Sequence, residues 1–193
     1  RWRRVKRSTN GTLRSEIISL LINSESNIMA DTIINPHDHF FKATFARRET
    51  ALSFLSTYLP PELVQVFDFS SFEISKDSFV DSELKDHFSD ILYKVGLESG
   101  GLACIYVLFE HKSYEDELVA FQILKYMVKI WDQQRQQNKE QKTKQKYPLK
   151  PIFPVLVYHG LEGWQVQLNF AALFDKVDLP DVLRPYIPDY QYW

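Results

Sequence analysis

Cysteine is almost missing from the chain: Cys104 has no second thiol to pair with, which excludes a disulfide framework and a Cys-based zinc site. Cys104 lies inside an apolar stretch and is expected as a buried, reduced thiol, in keeping with a reducing cytoplasm. Long apolar runs are missing too. None approaches the ~20 residues a bilayer-spanning helix needs, so no membrane partner is expected. A general positive charge is the third absence. The formal net charge of −2 hides an asymmetry, because residues 1–28 hold six Lys/Arg against Glu16 and Glu25, leaving 17 basic and 23 acidic residues for 29–193. The body is therefore not a basic surface, and any DNA contact is confined to local patches.

What is present is a folded domain. A hydrophobic content of 45% with 15% aromatics exceeds what a disordered chain carries, and 193 residues can bury one good-sized core. The domain is expected over residues 29–170. The basic stretch before Met29 is shorter in its apolar run (Ile17 to Ile22) than a signal peptide requires. It reads either as a DNA-binding arm or as an extension that is disordered or not native to the domain, and we favour the extension. Residues 171–193, ending in Tyr190-Gln191-Tyr192-Trp193 after a Pro-rich stretch, read as the start of a truncated C-terminal region.

Asn35-Pro36-His37-Asp38 has the features of a helix start: an Asn cap, Pro at the first position and an acid in the first turn. Phe41, Phe45, Leu52, Leu55 and Leu59 then recur at helical spacing up to Pro60-Pro61, which predicts a helix over 36–58. A helical turn near Glu62 to Phe67 and a strand near Phe72 to Ser75 follow. Phe88 to Leu97 and Leu102 to Glu110 are rich in β-branched and aromatic residues and flank a Gly pair, so they predict a β-hairpin. A second helix is expected over 116–137, with Val119, Ile123, Met127 and Ile130 on its apolar side. The polar run 133–146 is expected to fray into a solvated loop, and Pro151 to Tyr158 is a buried strand, with His159-Gly160 as a turn. The predicted order αβββαβ implies a three-layer α/β fold, a mixed central sheet flanked by helices.

The hairpin brings chemistry together. With residues 98–101 as the loop, cross-strand partners sum to 199, and a five-residue loop makes the sum 200, so Asp90 is expected opposite Phe109 or Glu110. Adjacent carboxylates need a proton or a cation between them. Mg²⁺ takes oxygen ligands, often one or two carboxylates with water and phosphate completing the shell. Lys112, two residues beyond Glu110, projects from the same face of a continuing strand and can stabilise charge on a phosphate. The same residues also fit edge carboxylates salt-bridged to Lys112. Asp38 is explained as well by the helix dipole as by a supplementary role near a metal. Gln122 interrupts the apolar side of the second helix and points at the site or at DNA, or is a plain helix-surface glutamine. His111, between the two candidates, is expected on the other face, and Lys94 shares the parity of Asp90.

Four segments carry a family resemblance: His37-Asp38-His39-Phe40-Phe41-Lys42, Ser89-Asp90-Ile91-Leu92-Tyr93-Lys94-Val95, Tyr106-Val107-Leu108-Phe109-Glu110-His111-Lys112-Ser113 and Val157-Tyr158-His159-Gly160. In this order they resemble the Rpn family of recombination-promoting nucleases, also called YhgA-like transposases, within the PD-(D/E)XK nuclease superfamily. The resemblance covers roughly 36–165. It implies a restriction-endonuclease-like core and a metal-dependent DNA endonuclease of a bacterial cytoplasm, associated with mobile elements and recombination. Mg²⁺, with Mn²⁺ as a substitute, would be held by Asp90, Glu110 and the His111 backbone carbonyl. Asp90, Glu110 and Lys112 would be catalytic, with Asp38 and Gln122 in support. Lys112 stands where family members often have Gln, which restores the broader superfamily pattern, and Ser89 replaces the proline of the Pro-Asp pair. The alternative is a non-cleaving DNA-binding or interaction module of a transposon-related protein. A homodimer would suit double-strand cutting, though no dimer seam is evident in the sequence.

Overall fold

The computed structural model describes residues 41, 43–75, 89–110, 116–140, 149–158 and 163–193, with side chains described throughout except at 89, 90, 108–110 and 140. All of them belong to the unit His37–Trp193. In chain order they form α1 (Arg48–Tyr58), α2 (Pro61–Val64), β1 (Phe67–Ile74), β2 (Ser89–Leu97), β3 (Leu102–Glu110), α3 (Val119–Glu140) and β4 (Ile152–Tyr158). Two 3₁₀ segments, Ala171–Phe174 and Asp181–Tyr186, follow. The sheet runs β1-β2-β3-β4, antiparallel across the first two pairs and parallel between β3 and β4. No described helix is long and apolar enough to cross a membrane.

Strand β3 is central because it is apolar on both faces, and residues 103–107 are all buried. Alternation sends Ala103, Ile105 and Val107 to one side, where they pack with Ile91, Tyr93 and Val95 of β2 against Ala51 and Leu55 of α1. It sends Cys104 and Tyr106 to the other side, with Leu92, against Val119, Ala120, Ile123, Tyr126 and Met127 of α3. Helices thus cover both faces of a mixed four-stranded sheet, an α/β arrangement consistent with a restriction-endonuclease-like core.

The helix predicted over 36–58 is broken. Phe41 and residues 43–45 are helical, but the chain turns at 46–47, Arg47 is extended (φ −91°, ψ 119°), and α1 starts afresh at Arg48. Tertiary contacts explain the break. The Arg48 guanidinium donates to the carbonyls of Phe72 (3.0 Å), Phe69 and Ser70 (both 3.2 Å), and the Tyr93 hydroxyl donates to the Phe45 carbonyl at 2.9 Å. Both helical pieces still face the same core, where Phe41, Leu55 and Leu59 are buried. The predicted helix start at 35–38, the 1–28 segment, the His159-Gly160 turn and the polar run beyond 140 lie outside the described residues; α3 itself continues to Glu140, past the expected end near 137.

Strand β1 begins five residues earlier than the predicted Phe72 because a bulge hides its alternation. Asp68 pairs with Gly96 and Glu73 with Lys94, so four residues of β1 stand opposite Val95 alone. Ser71 fills the bulge: its Oγ donates to the Asp68 carbonyl (2.7 Å) and accepts from the Gly96 N–H (2.7 Å). A Cβ at Gly96 would lie 2.8 Å from that oxygen, which is why the position is glycine. Arg48 covers carbonyls of this outer strand, one of the ways edges are protected from stray pairing.

The other outer strand, β4, is covered by the chain's end. Trp193 N–H donates to the Pro154 carbonyl (3.0 Å) and Leu156 N–H to the Trp193 carbonyl (2.6 Å). Pro154 has the parity of Leu156, so its missing N–H faces this outer side and removes no bond to β3. The segment read from sequence as the start of a further region therefore folds back on the domain, with Tyr192 buried beside Phe170 under α3 and the Tyr190 hydroxyl donating to the Ala120 carbonyl.

Candidate active site at the carboxylate end of the sheet

The β2–β3 register differs from both expected sums. Asp90 pairs with Leu108, Ser89 with Phe109 and Gly96 with Leu102, so partners sum to 198. The loop closes more tightly than either expectation: Leu97 N–H donates to the Gly101 carbonyl (3.1 Å) and Gly100 N–H to the Leu97 carbonyl (2.8 Å). Only residues 98–100 lie between that pair. Positive φ at Gly100 (88°) and Gly101 (95°) permits the closure, at positions where a side chain is strained.

The shift of two residues from the sum of 200 keeps parity. Positions 90 and 110 are not directly opposed but are diagonal neighbours on one face, a relation that separates residues by about 7–8 Å. It is the face on which Leu92, Cys104 and Tyr106 pack against α3. A sum of 199 would have put the two acids on opposite faces.

Two contacts orient α3 over this face. Gln134 Nε2 reaches Cys104 Sγ at 3.6 Å, and the Tyr126 ring lies 5.4 Å from that of Tyr106. Helix numbers fall as strand numbers rise, so α3 runs antiparallel to β3 and its first turn lies towards the end of β3 that carries Glu110. Because β2 is antiparallel to β3, position 90 is at the same end. So is Tyr158, the partner of Glu110 on the parallel strand β4. Ligand sites in open α/β sheets favour the carboxyl ends of parallel strands.

Two buried polar atoms near this end have no hydrogen-bond partner among the described residues: Gln122 Oε1 in the first turn of α3, and Nε1 of Trp164, whose ring meets Tyr158 edge-on at 5.0 Å. The other half of the Gln122 amide is occupied, Nε2 donating to Asp116 Oδ2 at 2.9 Å. Asp116 Oδ1 accepts from Leu118 N–H, also at 2.9 Å, an Asx arrangement at the helix start. Of the residues singled out in the sequence, the described structure brings the positions of Asp90 and Glu110 together and sets Gln122 at their end of the sheet. Asp38, His111 and Lys112 lie outside the described residues. Lys94 shares the face but sits opposite Cys104, four residues along β2 from Asp90. Asp116 and Trp164 were not singled out: the acid at a helix start was visible, its second bond to Gln122 was not.

Oxygen donors at positions 90 and 110 suit a hard divalent cation, which takes carboxylate oxygens and keeps much of its water. Among the described residues no group of three His, Cys, Asp or Glu side chains converges.

A mixed sheet covered by helices on both faces, with positions 90 and 110 at one end of its central hairpin, is an α/β arrangement consistent with a restriction-endonuclease-like core. Residues 35–193 match the family described as "Putative transposase, YhgA-like", and the chain belongs to that family. It is similar to the recombination-promoting nuclease RpnD of Escherichia coli O157:H7, 34% identical over 67% of this chain and 47% of that protein. It is similar also to RpnA of Escherichia coli strain K12, at 33% over 66% of this chain and 41% of the relative. A third relative, the inactive recombination-promoting nuclease-like protein RpnE of strain K12, is 31% identical over 77% and 47%. The chain spans about half the length of these relatives. No solved structure matches it.

Proposed function

We propose that this domain is a metal-dependent DNA endonuclease acting in recombination, with Asp90 and Glu110 as its cation ligands. The observation that supports the reading is the hairpin register, in which positions 90 and 110 are diagonal neighbours on the face covered by α3. Family membership and relatives named as recombination-promoting nucleases support it. A bound Mg²⁺ or Mn²⁺ supplies Lewis-acid polarisation of a phosphate and a lowered pKa for water. The chain's own share is binding and orientation. Asp90, Glu110 and the His111 backbone carbonyl hold the cation, Lys112 sets a fixed positive charge beside the phosphate, and Gln122 offers an acceptor at the rim. Asp38 is assigned a supplementary acidic role.

Incubating supercoiled plasmid with the protein and Mg²⁺, Mn²⁺ or EDTA tests this. Nicking is expected with either metal and not with EDTA. Asp90→Ala abolishes it, and Lys112→Ala slows it by about 10²–10³, as loss of one charge-stabilising donor does. Nicking that survives Asp90→Ala unchanged would overturn the assignment. The similarity to RpnE, named inactive, favours a second reading, a DNA-binding module that does not cleave. In that case DNA is retained in a gel-shift assay while no metal supports nicking.

A further inference from the structure

We infer that Asp116 is a positioning residue that fixes the Gln122 amide with its oxygen as a permanent acceptor at the Asp90–Glu110 end of the sheet; its catalytic consequence rests on the nuclease reading above. A glutamine amide can present either its oxygen or its NH₂ to a site, and free rotation would blur which one a substrate meets. Here the choice is made by a carboxylate. Asp116 can only accept, so Gln122 must offer it Nε2, as it does at 2.9 Å, and Oε1 is left buried without a partner among the described residues. Asp116 is held in turn, because its other oxygen accepts from Leu118 N–H and Gln122 N–H donates to the Leu118 carbonyl (3.1 Å), closing the helical turn between them. A buried acceptor with nothing to accept is unfavourable in the free protein, and a donor arriving with the substrate relieves it. The donor chemistry that fits is an O–H or N–H, and at a phosphodiester-cleaving site the attacking water supplies one. Gln122 would then orient that water by accepting from it, with Asp116 acting through Gln122.

The cap bond makes the idea testable. In Asp116→Asn the new side chain keeps an oxygen for Leu118 N–H, and Asn caps helices as well as Asp. Its NH₂ then replaces Oδ2 and must donate to Gln122 Oε1. The Gln122 amide is inverted and presents a donor where an acceptor stood. Plasmid nicking by D116N is expected to fall about 10²-fold, as for misplacement of a reacting group, with affinity for DNA measured in Ca²⁺ unchanged within about twofold. Gln122→Met gives the same loss. The double variant D116N/Q122E recovers nicking to within about fivefold of wild type, since one oxygen of the introduced carboxylate accepts from the introduced amide and the other remains an acceptor. D116N/Q122E as slow as D116N, or D116N as fast as wild type, would overturn the inference. Should wild type nick nothing in either metal, the nuclease reading fails alone. The orientation is then read from the Gln122 side-chain ¹⁵N–H₂ resonances, identified by their loss in Q122M. A shift in D116N upholds the lock, and unchanged resonances refute it.

Discussion

Replacing Asp90 by Asn tests the central claim without any catalytic assay, because a cation between two carboxylates must show in stability. Positions 90 and 110 are diagonal across β2 and β3, a relation that sets residues about 7–8 Å apart at the backbone. Coulomb repulsion at that distance is about 0.5 kcal/mol in water and about 2 kcal/mol at an effective dielectric constant near 20. In EDTA the Asp90→Asn protein is therefore expected to be more stable than wild type by roughly 0.5–2 kcal/mol, or roughly 1–8 °C in Tm for a chain of this size. With Mg²⁺ at a hundred times its Kd, wild type gains about 2.7 kcal/mol by mass action. The variant, having lost a ligand, gains little. The order of stability thus reverses on adding metal. Thermal melts by circular dichroism, in EDTA and across a Mg²⁺ series, read both halves. Parallel responses of the two proteins to Mg²⁺, or an Asp90→Asn variant less stable in EDTA, would mean that these acids do not share an ion.

Gly96→Ala drives a methyl group to 2.8 Å from Ser71 Oγ, an atom held by two hydrogen bonds. Shifting it sacrifices about 1 kcal/mol per bond, so a loss of about 2 kcal/mol is expected in urea denaturation, and the cost should be non-additive with Ser71→Ala. Burial, and for Tyr190 also the neighbouring Tyr192, hold the Tyr93 and Tyr190 phenols well above their usual value of 10.0. A raised folded-state pKa gives stability that is complete below pH 10 and is lost above it, as the unfolded chain ionises and the fold does not. Stability measured by urea titration should therefore fall from about pH 10 upwards, and Tyr93→Phe should flatten that fall. The same variant costs about 1 kcal/mol at neutral pH, because the bond to the Phe45 carbonyl is lost. Arg48→Lys replaces a planar fork bonded to three carbonyls of β1 by a point charge that cannot span them. Faster amide hydrogen exchange along residues 67–74 is the expected result, with α3 unaffected.

The sheet was legible where side chains alone decide. Val, Ile and aromatic runs marked β2, β3 and β4 to within a residue or two of their observed ends, since such residues suit a pleated, two-sided interior. What escaped depends on groups distant in sequence. The break at 46–47 follows from Arg48 and Tyr93 bonding across to β1 and to Phe45, and helical periodicity cannot show a partner on another strand. The true start of β1 was hidden by three extra residues whose place is fixed by one serine oxygen opposite Gly96. At the site the acids were visible as residue types, whereas the Asp116–Gln122 bond spans six positions and joins a pre-helical residue to the helix. No helical spacing rule covers that pairing.

The hairpin separates two kinds of information that are often treated as one. Register is set at the turn by backbone angles of Gly100 and Gly101, which residue type only hints at. The choice of face is set by burial over the whole strand. Ile91, Tyr93 and Val95 fill the α1 side and Leu92 the α3 side, so a slip of one residue would exchange the two sets and ruin both cores at once. A slip of two preserves every face. This asymmetry explains why the expected sum of 200 and the observed 198 both put positions 90 and 110 on one face, while 199 would separate them. It also gives a consequence for the turn: an extra glycine inserted between Gly100 and Gly101 should enlarge the loop rather than shift the strands, because lengthening a loop by one residue costs little and re-pairing would invert buried side chains. The β2–β3 amide exchange pattern would then stay as it is, with Asp90 and Glu110 still on the face that α3 covers.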